Sequence, residues 1–417
     1  MDIKLYDKLR IEILDKINPA DYTDSSVEEV MGGIEELLIP LLDKENIIVT
    51  RRKVEELIKS YYDDIFGFGP LQDLLADHTI SDIMVNGCES IYIERAGRLL
   101  KLDENFKSNE QILRIAQRIV APIGRRVDES SPMVDARLAD GSRVNIIVPP
   151  VALDGCVISI RKFREDKLDL FDLINFESMS KEMAHYLSLM VMIKANIIIS
   201  GGTGSGKTTL LNAISNEISD GDRIVTIEDA AELQLQKDHV VRLESRPRGA
   251  DGGGEVSIRD LVINSLRMRP DRIIVGECRG DETFEMLQAM NTGHEGSMST
   301  IHANTPKDAL VRLESMLSMA NPNVSAKTIH SQISQAIDII VQCSRLPSGQ
   351  RKITNITEIG ALEGDVIQHQ DVFTLDIHRK GDGELGYAFL KTISHSLLEK
   401  KAEDVGLLAE LKGVLHD

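Results

Sequence analysis

The stretch Ile197-Ile198-Ile199-Ser200, followed by Gly201-Gly202-Thr203-Gly204-Ser205-Gly206-Lys207-Thr208-Thr209, decides the fold. The β-branched run reads as a buried strand. The glycine-rich segment turns at once, and Leu210, Leu211, Ala213, Ile214 and Ile218 then recur at helical spacing. Strand, phosphate loop and helix follow from this order. Backbone N–H groups from Gly202 to Thr209 can close round a di- or triphosphate, with the helix dipole behind them. Lys207 can reach the β- and γ-phosphates, and Thr208 offers a hydroxyl to Mg²⁺, so ATP with Mg²⁺ is the expected ligand pair.

Outward from this point the pattern is α/β. A helix is expected from about 180 to 194, and later strands at 223–227, 240–243, 272–275, 297–301 and 337–342. Helical patterns separate most of them, at 257–268, 281–291, 306–319 and 325–335. Alternation of this kind indicates a doubly wound, largely parallel sheet with the nucleotide at the strand C-termini. Two predicted strands end there in carboxylates. Glu228, in Thr226-Ile227-Glu228-Asp229, is a candidate to orient and deprotonate the attacking water. Glu277 closes Arg272-Ile273-Ile274-Val275-Gly276-Glu277, with Gly276 where a metal-holding Asp usually stands, so Glu277 must make the metal or water contact. His294 and His302 stand eight apart in a polar run, a spacing that argues against zinc. His294, between glycines, is the stronger candidate, as a reader of the γ-phosphate or of a neighbouring subunit. Gly249–Gly254 is expected to be a mobile connection.

N-terminal to the phosphate loop the patterns differ. Residues 1–66 read as helices, with one apolar stripe from Val27 to Leu41 and a second from Val54 to Ile65 after Thr50 as N-cap. Strands follow near 82–85 and 90–94, then a helix opened by a capping box of Ser108 and Gln111. If Ala139-Asp140-Gly141 is a three-residue hairpin loop, Arg137 stands opposite Arg143, and a further strand at 157–162 adds Arg161. Facing guanidinium groups repel unless an anion lies beside them. That anion could be a phosphate or the carboxylates of Asp135, Asp128 or Glu129. Arg164-Glu165-Asp166-Lys167 reads as a charged linker.

Composition narrows the function further. The 417 residues suffice for two or three domains, and the net charge of −19 gives no general attraction to nucleic acid or anionic lipid. The four cysteines are isolated, as expected of reduced thiols in the cytosol. No apolar run approaches membrane-spanning length, so any membrane association is expected through partners.

The assembled motifs resemble a known family. GGTGSGKTT, TIED, RMRPDRIIVGECRG and MNTGHEGSMSTIHANTPKDAL are similar to the Walker A, Asp box, Walker B and His box of the type II and type IV secretion and pilus ATPases. Within that superfamily, GFGPLQDLL (67–75), IMVNG (83–87), GRRVDESSPMVDARLADGSRVNIIVPP (124–150), ISIRKF (158–163) and GECRGDETFEMLQAMNTGH (276–294) resemble the CpaF-type ATPases of Tad pili. The resemblance covers roughly residues 60–345 and implies a PAS-like α+β domain and a RecA-like domain; with the helical bundle that the apolar stripes give over 1–66, the expected division is 1–66, 67–163, a linker over 164–172 and the RecA-like domain over 173–417. It further implies a cytoplasmic homo-hexamer at the inner face of the cytoplasmic membrane, hydrolysing ATP to drive pilus assembly through inner-membrane platform proteins, with no stable nucleic-acid partner. Lys207 and Thr208 match the Walker A ligands, Glu228 the Asp-box base, Glu277 the Walker B glutamate, and His294 and His302 the His box. Arg137, Arg143 and Arg161 match N-domain arginines that reach the phosphates. The glycine at 276 is shared by that family. A type IV secretion ATPase moving protein or DNA, a retraction motor and a nucleotide-gated scaffold without turnover are the alternatives.

Overall fold

The computed structural model describes residues 3–17, 26–95, 97–163, 168–246, 254–379 and 385–416. The chain divides into two compact units, Met1–Glu165 and Asp166–Asp417. The expected charged linker at 164–167 and most of the expected mobile stretch at 249–254 lie outside the described residues.

The first unit opens with helices α1 (Ile3–Leu14), α2 (Val27–Lys44) and α3 (Arg51–Ile65). Ser26 and Glu29 form a capping box on α2, and Thr50 accepts from the Lys53 N–H at the start of α3. The two stripes bury Val30, Ile34, Leu38 and Leu41 against Val54, Leu57, Ile58, Tyr61 and Ile65, whereas Val27 is half exposed. After α4 (Leu71–Ala76) come strands β1 (Ile80–Asn86), β2 (Ile91–Arg95) and β3 (Arg98–Lys101). Helix α5 (Asn109–Val120) precedes β4 (Met133–Arg137), β5 (Arg143–Ile147) and β6 (Val157–Arg161). The strands form one antiparallel sheet in the order β3-β2-β1-β6-β5-β4, an α+β arrangement whose apolar face buries Ile83, Val85, Ile91, Ile93, Val144, Ile146, Ile158 and Ile160 with Ile112, Ile115 and Ile119 of α5.

Bundle and sheet belong to one unit because polar groups are sunk between them. Arg10 of α1 and Asp64 of α3 pair at 2.6 Å, both buried. Asp64 also accepts from Gln111 Nε2 at 3.0 Å, and Arg118 Nη2 donates to its backbone carbonyl. Gln111 therefore departs from the expected capping box. Ser108 caps the helix, but the Gln111 carbonyl oxygen accepts from Lys107 N–H at 2.8 Å, and its amide group serves Asp64.

The second unit starts with α6 (Leu170–Asn175), capped by Asp169 within the stretch expected to be linker, and α7 (Lys181–Met192). Then follow β7 (Ile197–Gly201), α8 (Lys207–Ser215), β8 (Ile224–Glu228), β9 (Val240–Glu244), α9 (Ile258–Ser265), β10 (Arg272–Val275), α10 (Glu282–Asn291), β11 (Met298–Ile301), α11 (Pro306–Ala320), α12 (Ala326–Ala336) and β12 (Ile339–Arg345). Six parallel strands run in the order β12-β7-β11-β10-β8-β9. The chain after 345 adds β13 (Arg351–Glu363), β14 (Val366–Arg379) and β15 (Leu385–Lys391) as an antiparallel extension beside β12, then α13 (Glu399–Asp404) and α14 (Leu408–His416). Helices cover both faces, with α7, α8 and α14 contributing to one core and α9 to α12 to the other. The result is a RecA-like, largely parallel sheet.

One buried carboxylate fastens the extension. Glu358 of β13 is fully buried and accepts from Tyr186 OH of α7, Gln370 Nε2 of β14, the Leu397 N–H and the Ser396 hydroxyl. A buried carboxyl group with four hydrogen-bond partners is satisfied rather than orphaned.

Candidate functional site

The phosphate loop joins β7 to α8. Gly204 and Gly206 adopt φ of +68° and +96°, left-handed values that favour glycine, and Gly206 precedes the first helical residue, Lys207. A Cβ on Gly201 would stand 2.5 Å from the Cys343 carbonyl oxygen, so β12 closes against the loop's first residue. Lys207 is nearly buried, and its Nζ donates to the carbonyls of Gly201 and Gly202, each at 2.9 Å. Burial pushes its ammonium pKa below the usual lysine value, partly offset by Glu277.

Register brings the remaining groups to this point. Ile301 of β11 pairs with Ser200 of β7, so His302 emerges beside the loop. Its Nε2 lies 3.5 Å from Lys207 Nζ and 3.0 Å from Glu277 Oε1. Burial first, then the Lys207 charge, hold the His302 pKa below its ordinary value, which keeps the imidazole neutral at neutral pH. Arg279 Nη2 sits 2.6 Å from the other Glu277 oxygen and Nη1 3.7 Å from Asp229. Lys207, His302, Glu277, Arg279 and Asp229 thus form a continuous polar chain along the strand C-termini, with the neutral imidazole between charged groups.

Glu228 occupies a different place. It is buried, and its Oε1 accepts from the N–H groups of Glu232 at 2.8 Å and Leu233 at 2.9 Å. Burial raises its pKa against the pull of those two donors. A Cβ on Gly276 would meet Glu228 Cγ at 2.9 Å. The space a Walker B Asp would fill is therefore taken by Glu228, which gives the glycine a steric cause.

The two histidines separate. Ser297 Oγ donates to the His294 carbonyl, and the Ser297 backbone is tied to Asn196 and Ile197, where β7 begins. His294 therefore stands at the opposite end of β11 from His302. A four-residue strand at roughly 3.3 Å per residue puts about 13 Å between the two ends. This corrects the preference for His294 as a γ-phosphate reader within its own subunit: the two residues flank opposite ends of one extended strand, and it is His302 that meets Lys207.

Among the described residues no cluster of three or more His, Cys, Asp or Glu could hold a metal by itself. Buried Glu277 Oε1, Glu228 Oε2 and Ser200 Oγ accept no well-aligned hydrogen bond. The unpartnered Glu277 oxygen fits a hard cation such as Mg²⁺, which Glu277 and the Thr208 hydroxyl would hold together with the nucleotide's phosphates.

In the first unit, Arg137 pairs with Arg143 and Arg143 with Arg161, as the hairpin register predicts, with Gly141 at φ +89°. Asp82 of β1 adjoins Arg161, so an acid and three guanidinium groups line up across β1, β6, β5 and β4. They project from the face opposite the apolar core. Asp135 accepts from Asn145 Nδ2 at 2.9 Å and Asp128 pairs with Arg126.

Sequence reasoning passed over Arg279, Asp229 and Arg351, whose Nε donates to the Gly204 carbonyl at 2.9 Å. The turn signal Pro347-Ser348-Gly349 could have exposed the last, because it folds β13 back beside the loop.

The fold and this site define a phosphate-loop nucleotide-binding protein. The profile of the type II/IV secretion system protein family matches residues 65–366. Rv3659c of Mycobacterium tuberculosis strain H37Rv, provisionally named for conjugal transfer, is 35% identical over 309 residues, covering 73% of this chain and 87% of that protein. The conjugal transfer protein TrbB of Rhizobium radiobacter is 33% identical over 295 residues, 70% of this chain and 86% of TrbB. The crystal structure of the pilus retraction motor PilT with bound ADP shares the fold at a TM-score of 0.50 and 20% identity, over 82% of this chain and 88% of PilT. This chain belongs to the type II/IV secretion system protein family. Among its described residues no helix is long and apolar enough to cross a membrane.

Proposed function

We infer that the chain is an ATP hydrolase that works as the motor of a secretion or pilus machine. The observation that carries this is the linkage of Lys207, His302 and Glu277 beside the phosphate loop in a member of this family. A loose phosphoryl-transfer transition state needs charge neutralisation and an oriented water more than covalent chemistry. Glu277 is the better base. Each glutamate keeps one oxygen without a hydrogen bond, but that of Glu277 adjoins His302 and through it Lys207, whereas Glu228 is turned to the amides of Glu232 and Leu233. Glu228 then holds the turn from 228 to 233 and the space beside Gly276. Mg²⁺, bound with the nucleotide, would neutralise charge on the β- and γ-phosphates. Arg137, Arg143 and Arg161 are proposed to meet the phosphates from the N-terminal domain, on the support of their shared row. His294, at the other end of its strand, suits contact with a neighbouring subunit in a homo-hexamer.

The machine is proposed to be a Tad-type pilus at the cytoplasmic face of the inner membrane, reached through platform proteins, on the strength of the residues at 124–150 and 276–294. A second reading, a type IV secretion or conjugation ATPase, is favoured by TrbB and Rv3659c. Phosphate release tests the enzyme: Lys207→Ala should lose ATP binding or turnover, and Glu277→Gln should bind ATP without hydrolysing it. Full turnover by Glu277→Gln together with none by Glu228→Gln would return the base to Glu228. Deleting the gene separates the machines, since loss of surface pili with unchanged conjugal transfer supports the first and the reverse supports the second.

A further inference from the structure

The hairpin of β12 and β13 carries charge past the end of the parallel sheet. Cys343 of β12 pairs with Gly201, so the strand continues two residues beyond the point where the phosphate loop begins. Arg345, the last of these, pairs directly with Arg351 of β13. The turn between them is tight, with Leu346 N–H donating to Gln350 O at 2.8 Å, Gly349 N–H to Leu346 O at 2.8 Å and Gly349 at φ +87°. Both side chains reach the loop. Arg351 donates from Nε to the Gly204 carbonyl, and its Cδ lies 3.3 Å from where a Gly206 Cβ would be. Arg345 Nη1 lies 3.9 Å from where a Gly204 Cβ would be.

The two arginines differ in what holds them. Arg351 is fixed to the outer, carbonyl side of the loop, where it supports the left-handed turns at Gly204 and Gly206. Arg345 is exposed and forms no hydrogen bond or ion pair among the described residues, although a second guanidinium stands across the ladder from it. Its guanidinium stands beside the Gly204 turn of the phosphate loop, where the polyphosphate of a bound nucleotide would lie.

We propose that Arg345 is a phosphate-binding residue supplied by the nucleotide-binding domain itself, with Arg351 positioning the loop beneath it. The proposal rests on the nucleotide reading above and deepens it. A charge reaching the phosphates from the hairpin is carried by the same sheet as the loop. It favours ligands in proportion to their phosphate charge, and so discriminates ATP and ADP from AMP.

The test is calorimetric titration of the full-length chain with ATP, ADP and AMP in the presence of Mg²⁺. Arg345→Ala should weaken ATP about tenfold or more, the size of one charge-assisted contact, and ADP by less, with AMP unchanged. Arg345→Lys should recover part of the loss. The unfolding midpoint without nucleotide should stay at the wild-type value, because an exposed side chain without a partner stabilises little. ATP affinity within twofold of wild type in Arg345→Ala overturns the proposal. So does an equal loss for ATP and AMP, which would report damage to the loop. A wild-type chain that binds no ATP overturns the nucleotide reading and this proposal together, whereas normal wild-type binding with an indifferent Arg345→Ala removes this proposal alone.

Discussion

Gly276→Ala tests whether Glu228 fills the place of the missing aspartate. The added methyl would stand 2.9 Å from Glu228 Cγ and 3.4 Å from Oε1. Cγ lies too near the backbone to swing away, so the whole carboxylate must shift and loosen its bonds to the Glu232 and Leu233 amides. Overpacking costs about 1–3 kcal/mol and a weakened charge-assisted bond adds to it, giving a total of about 2–4 kcal/mol. In a Glu228→Ala background the nearest remaining atom is Cβ, at an ordinary 3.5 Å, and the same substitution should cost under about 1 kcal/mol. The chain has no tryptophan, so far-UV circular dichroism in urea is the natural assay. The relevant transition is the one that Mg·ATP moves to higher urea, since ligand stabilises the unit that binds it. An equal penalty in both backgrounds would show that something other than Glu228 excludes a side chain at 276. By the same geometry, Gly276→Asp should impair folding rather than improve metal binding.

Two further outcomes follow from buried polar groups. Tyr186→Phe removes one of four donors to Glu358 and should lower stability by about 1–3 kcal/mol, read as a reduced urea midpoint with α13 and α14 the first segments to lose hydrogen-exchange protection. Asp63 borders a cavity of about 230 Å³ with Lys59, Asp73, Glu104 and Lys107, and burial lifts its pKa from the ordinary carboxylate range to about 6. A carboxyl whose folded pKa is raised stabilises the fold only while protonated. Its contribution should be present below about pH 4 and fall as pH rises to about 6, and Asp63→Asn should flatten that slope in the unfolding midpoint.

What the sequence could show by itself is what local pattern dictates. The helical stripes of α2 and α3, the phosphate loop and the alternation of strand and helix from β7 to β12 are each set within a few residues, by periodicity or by glycine. The Arg137–Arg143 register is likewise local, because a three-residue turn fixes it. Tertiary structure decided what depends on distant partners. It set which histidine meets Lys207, because strand direction sends His302 to the nucleotide end of β11 and His294 to the other. It put Glu228 against Gly276 across two paired strands, and Arg345 and Arg351 beside a loop more than a hundred residues earlier. It also joined the N-terminal helices to the following sheet through Asp64, and the C-terminal strands to α7 through Glu358, two carboxylates whose burial no neighbouring residue announces. Such contacts are long-range pairings of single polar groups, and a one-dimensional pattern carries no term for them.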